Sequence, residues 1–152
     1  MLRRSVLLLI FVFCAMHFTL AQTAKLTAKQ QAEIVASAQK MAVRSVTFRQ
    51  GDLHSLNDSS SNFTPEAWKD FLNHMSGFLD DEGASTFTSS FVPSGKATVI
   101  EQKNGTVHFR IPGALTQTHD ETSTNYRHAA LDVTAGGQPI KIQHLEQIFM
   151  LH

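Results

Sequence analysis

The chain has 152 residues, 42% of them hydrophobic, with 13 Lys+Arg against 13 Asp+Glu and a formal net charge of zero. That length provides one domain with room for a core, and a balanced charge without a basic stripe or an acidic tail argues against nucleic acid as a partner. A single cysteine, Cys14, rules out a disulfide framework.

Met1-Leu2-Arg3-Arg4 sets two cations ahead of an apolar run from Val6 to Met16, which continues to Phe18 and Leu20 with His17 inside it. Thr19-Leu20-Ala21 then places small residues at the two positions a signal peptidase reads. A charged start, about 7–15 apolar residues and a small-x-small end define a secretory signal, and the run is shorter than the roughly 20 residues that cross a bilayer. The expectation is a signal peptide over residues 1–21, a single domain over residues 22–152, and a periplasmic or secreted location, with membrane contact only through the transient signal. Cys14 follows Phe13 rather than the small residue lipid attachment needs, and it leaves with the signal. The mature domain then has no thiol, and loss of Arg3 and Arg4 leaves 11 cations against 13 anions, a net charge of −2.

Thr27 and Gln30 have the spacing of a capping box, and Ile34, Ala38, Met41 and Ser45 follow at helical intervals. Val35, Ala42, Val46 and Phe48 widen that stripe, predicting a helix that ends near Gln50 because Gly51-Asp52 breaks it. Asp52 to Asn62 is polar and reads as a loop, with one short turn around Leu53 and Leu56. Thr64 suits an N-cap, Pro65 the first helical position, and Phe63 with Trp68 a hydrophobic staple. Trp68, Phe71, Leu72, Met75, Phe78 and Leu79 form one apolar face of this second helix, which Gly83 closes.

The period then becomes alternating. Thr86 to Val92 predicts a strand, Pro93-Ser94-Gly95 a turn, and Ala97 to Glu101 a second strand. Asn104-Gly105 is a hairpin signal, because both residues tolerate positive φ. Val107, Phe109 and Ile111 then fall on one face, with His108 and Arg110 on the other. Thr116 to Ser123 is polar and reads as a turn, Tyr126 to Val133 as a strand, Gly136-Gly137 as a turn and Ile140 to Phe149 as the closing strand. Helices followed by a meander predict an α+β fold, with N-terminal helices packed on a curved four- to five-stranded antiparallel sheet.

Phe48, Leu53 and then Phe63-Thr64-x-x-x-Trp68-x-x-Phe71-Leu72 form a pattern similar to that of the IcmL/DotI family, subunits of type IV secretion systems. The segment from Val107 to Gly113 and on to Leu145 resembles that family's strand region more loosely, so the likeness covers about residues 40–148. It implies the cystatin-like, or nuclear-transport-factor-like, cone fold and a periplasmic domain. Family members of the secretion core keep a membrane helix, whereas this chain carries a signal that is read as cleaved. The resemblance therefore implies a soluble relative whose partners are envelope or secretion-system proteins, or a second copy of itself.

Four aromatics, Phe63, Trp68, Phe71 and Phe109, are candidates to line a cavity or to fill the core. The histidines, His17, His54, His74, His108, His119, His128, His144 and His152, form no pair with metal-ligand spacing, so no metal is expected. Asp80-Asp81-Glu82 reads as a solvated helix end. No phosphate loop or nucleophile elbow is present, and no cofactor is expected. Tyr126, His128 and Asp132 share one strand parity. In enzymes of the cone fold, such as the polyketide-cyclase and steroid-isomerase type, a cavity-facing acid or base moves a proton, so these three are the candidate catalytic residues of an enzyme or apolar-ligand binder. Ala129, Leu131 and Val133 occupy the opposite parity, which directs His128 and Asp132 to solvent and favours a non-enzymatic protein-interaction domain.

Overall fold

Thr27 starts the first helix as its side chain dictates. In the computed structural model, which describes residues 25–49, 57–79, 87–119 and 122–149, helix α1 spans Ala28–Val46. The Gln30 backbone N–H donates to Thr27 Oγ1 at 3.2 Å, and the Thr27 N–H donates to Gln30 Oε1 at 2.9 Å. Two of the donors a helix start leaves free are thereby satisfied. Ile34, Ala38, Ala42, Ser45 and Val46 are its buried face. The helix stops at Val46 rather than near Gln50, because Phe48 pairs as a strand residue with Ser89 through hydrogen bonds of 2.8 and 3.0 Å. Leu53 and Leu56, Asp80-Asp81-Glu82, Gly83, His54 and the signal over residues 1–21 lie outside the described residues.

The end of the expected polar loop is a 3-10 turn at Ser59–Asn62, after which α2 spans Pro65–Leu79. Thr64 Oγ1 accepts from the Ala67 N–H at 3.3 Å, as an N-cap does. The staple is present, with Phe63 and Trp68 ring centroids 5.3 Å apart. Phe63 also forms a parallel bridge to Ile142, and the Thr64 N–H donates to the Ile142 carbonyl oxygen at 2.9 Å. The entry to α2 is thus stitched to the sheet before the helix begins.

Five strands follow: β1 (Thr88–Pro93), β2 (Thr98–Lys103), β3 (Thr106–His119), β4 (Thr122–Gly136) and β5 (Lys141–Phe149). All pairings are antiparallel, in the order β1-β3-β4-β5, with β2 also on β3. The expected meander is corrected at its start. β1 and β2 do not form a hairpin; they lie end to end along one edge of β3, β1 against residues 113–118 and β2 against residues 106–110. Asn104 (φ 51°) and Gly105 (φ 76°) do make the hairpin turn between β2 and β3.

The stretch Thr116 to Ser123 is strand on both sides of residues 120–121, not the expected turn. Its hydroxyls satisfy one another across the ladder: Thr116 Oγ1 donates to Asn125 Oδ1 at 2.8 Å, and Thr118 and Ser123 share a hydrogen bond of 2.8 Å. Val107, Phe109, Ile111, Leu115, Leu131, Val133 and Ile142 make the sheet's contribution to one core with Ile34, Ala38, Ala42, Phe71 and Met75 from the helices. Gly113 is required there, because a Cβ would fall 2.3 Å from Cζ of the buried Phe91. The fold is α+β, with the helices N-terminal to the sheet. Among the described residues no helix is long and apolar enough to cross a membrane.

Candidate functional site

The β3–β4 register sets Arg110 directly across from Asp132 and His108 across from Thr134, all on the face that turns away from the helices. The Asp132 carboxylate lies between the two. Oδ1 accepts from His108 Nε2, and Oδ2 accepts from Arg110 Nε at 3.2 Å and Nη2 at 2.5 Å. An ionised carboxylate only accepts, so His108 carries its proton on Nε2 in this pair. Asp132 is 6% exposed, which corrects the expectation that it faces solvent. Parity placed it on the outer face correctly, but two long cross-strand side chains cover it there. Burial pushes its carboxyl up; the hydrogen bonds from Arg110 and then His108, followed by their charges, outweigh this and hold it below the usual carboxylate value.

Tyr126 does not join this cluster. Gly113 pairs with Ala129 and Leu115 with Tyr126, so two residues of β4, Arg127 and His128, face one of β3. That β-bulge reverses the alternation and turns Tyr126 to the helix side. His128 is exposed at the bulge itself. The candidate catalytic set is therefore split over two faces and does not converge on one space. Among the described residues no group of three or more His, Cys, Asp or Glu could hold a metal ion.

Tyr126 instead lines a cavity of about 250 Å³ between α2 and the β4–β5 end of the sheet. Its ring packs on Phe149 with centroids 4.4 Å apart. Phe71, His74 and Met75 come from α2, Leu145 and Gln147 from β5, and Gln117 from β3. Of the four candidate aromatics, Phe71 forms part of this lining. Phe63 and Trp68 stack on Phe71 at 5.4 and 5.6 Å, and Phe109 is fully buried in the core. Met75 lies on the apolar face that the sequence assigns to the second helix, whereas the Gln117–Gln147 pair has no such signature, because polar residues in strands carry no signal of a common cavity.

Two solved structures share this architecture. One is the periplasmic domain of DotI, at a TM-score of 0.66 and 16% identity, the match covering 84% of this chain and 99% of that domain. The other is an IcmL-like type IV secretion system protein from Legionella pneumophila, at a TM-score of 0.61 and 9% identity, covering 80% of this chain and 94% of that one. The chain resembles the IcmL/DotI family. No protein-family model matches the sequence, and no curated protein does. At these identities the IcmL/DotI likeness is one of fold, and it spans nearly the whole of both structures.

Proposed function

We propose that this chain is an exported, non-enzymatic domain that works in the periplasm by binding other proteins, as a soluble relative of type IV secretion system subunits. The observation that carries this reading is the match to 99% of the DotI periplasmic domain. A second support is the export signal read over residues 1–21, with residues 22–152 as the working domain. The distribution of ionisable groups fits a binding role as well. Tyr126, His128 and Asp132 do not share a cavity, and Asp132 is fully occupied by His108 and Arg110. Its partners are envelope or secretion-system proteins, a second copy of the chain among them.

Fractionation of cells expressing the tagged full chain, followed by cross-linking and mass spectrometry of the periplasm, tests the reading. Processing after Ala21 and repeated recovery of envelope components are expected. Retention in the cytoplasm, or a periplasmic protein that cross-links to no other chain, would overturn it.

A further inference from the structure

The cavity between α2 and the β4–β5 end of the sheet has a composition that selects a ligand. Its body is apolar: Phe71 and Met75 from one side, Leu145, Phe149 and the Tyr126 ring from the other. Its polar groups are incompletely used. Gln117 Nε2 donates to Gln147 Oε1 at 3.3 Å, which leaves Gln117 Oε1, Gln147 Nε2 and the Tyr126 hydroxyl without a hydrogen-bond partner among the described residues. One free acceptor, one free amide donor and a hydroxyl that can do either are thus presented to an apolar space.

Size and charge narrow the occupant. A cavity of about 150 Å³ takes benzene, and this one measures about 250 Å³. No lysine or arginine among the described residues lines it, and His74 on its wall donates its Nδ1–H to the Asp70 carbonyl oxygen at 2.7 Å. A carboxylate or phosphate ligand would enter without a lysine or arginine to pair with, and burying an unpaired charge is costly. We propose that this cavity is a binding site for a small neutral amphiphile: an apolar body of one or two rings, or a short alkyl chain, with a hydroxyl or amide at one end. The polar end meets Gln117, Gln147 and Tyr126, and the body lies between α2 and β5. Phe149, 40% exposed, stands at the entrance. This site is independent of the protein-binding role, and either can hold without the other.

Three probes of one shape test it: 5-indanol, indane and indane-5-carboxylate. Binding is read by the fluorescence of Trp68, the single tryptophan, which stacks 5.6 Å from Phe71, and by amide chemical shifts. Saturable binding of 5-indanol is expected, with indane about fivefold weaker and the carboxylate at least about tenfold weaker. Shifts should map to β4, β5 and α2. In Tyr126→Phe and Gln147→Leu the preference for 5-indanol over indane should fall to within about twofold, with the urea midpoint retained. Filling the body with Leu145→Phe should abolish binding of both. Equal or tighter binding of the carboxylate overturns the proposal, as does a lack of saturation by about 1 mM or shifts that map elsewhere. A cavity that the free chain leaves empty of every probe, but that a bound protein protects at Tyr126 and Phe149, assigns it to a partner's side chain and overturns the proposal too.

Discussion

Among the described residues no helix covers the face of the sheet that carries Asp132, yet water scarcely reaches that residue. Its folded-state pKa lies below the ordinary value of 3.8, so its contribution to stability is present above that value and drains away as pH falls through the folded one. Asp132→Asn should lower unfolding free energy by about 2 kcal/mol near neutral pH. Arg110 is 43% exposed, which keeps the figure below that of a fully buried pair. Urea titrations of both proteins across pH should show the gap narrowing only in acid, below 3.8, as the wild-type carboxylate takes up its proton. Gly113 poses the opposite problem, one of space. Gly113→Ala drives a methyl into the buried Phe91 ring, and a loss of about 1–3 kcal/mol is expected in the same titration. The outer-face placement of His108, Arg110 and Asp132 was legible from alternation. Their contact was not. His119 pairs with Thr122, and unbroken counting from there sets Arg110 against Leu131. One extra residue at Arg127–His128 moves the partner to Asp132, and no local residue preference announces that insertion.

Elements with a chemical start signal were read well. The Thr27 capping box, the Thr64 cap with its Phe63–Trp68 staple and the Asn104-Gly105 turn all lie where side-chain chemistry put them. Thr27→Ala should cost about 1 kcal/mol, and should shift the thermal midpoint without changing the far-ultraviolet spectrum of the folded protein. Ends decided by distant partners were read badly. The stripe through Phe48 continues the helical period, but Phe48 gains two backbone hydrogen bonds by pairing with Ser89. The polar run from Thr116 to Ser123 looks like turn composition, but threonine is a good strand former and its hydroxyl can bond across a ladder. The order of β1 and β2 along β3 follows from a long central strand, whose length no local pattern revealed.

At the scale of the molecule, one core joins α1, α2 and the helix-facing side of the sheet, and Phe71 belongs to it while also forming a cavity wall. Phe71→Ala should cost about 3–5 kcal/mol by calorimetry, since it removes a buried ring that stacks on both Phe63 and Trp68. The aromatic pattern that marks the IcmL/DotI resemblance thus has a mechanical reason: it clamps the second helix to β5. The two bridges made by Phe48 and Phe63 have a further result. A sheet's outermost strands ordinarily expose backbone groups that recruit any passing extended chain. Phe48 occupies the margin of β1, where Thr47 Oγ1 also takes the Phe91 N–H at 3.2 Å, and Phe63 with Thr64 occupies the margin of β5 at Ile142. The residues that leave α1 and those that enter α2 therefore each cork a short stretch of one rim of the sheet, so a lesion that loosens either helix is expected to uncover backbone groups through which copies of the chain stick together.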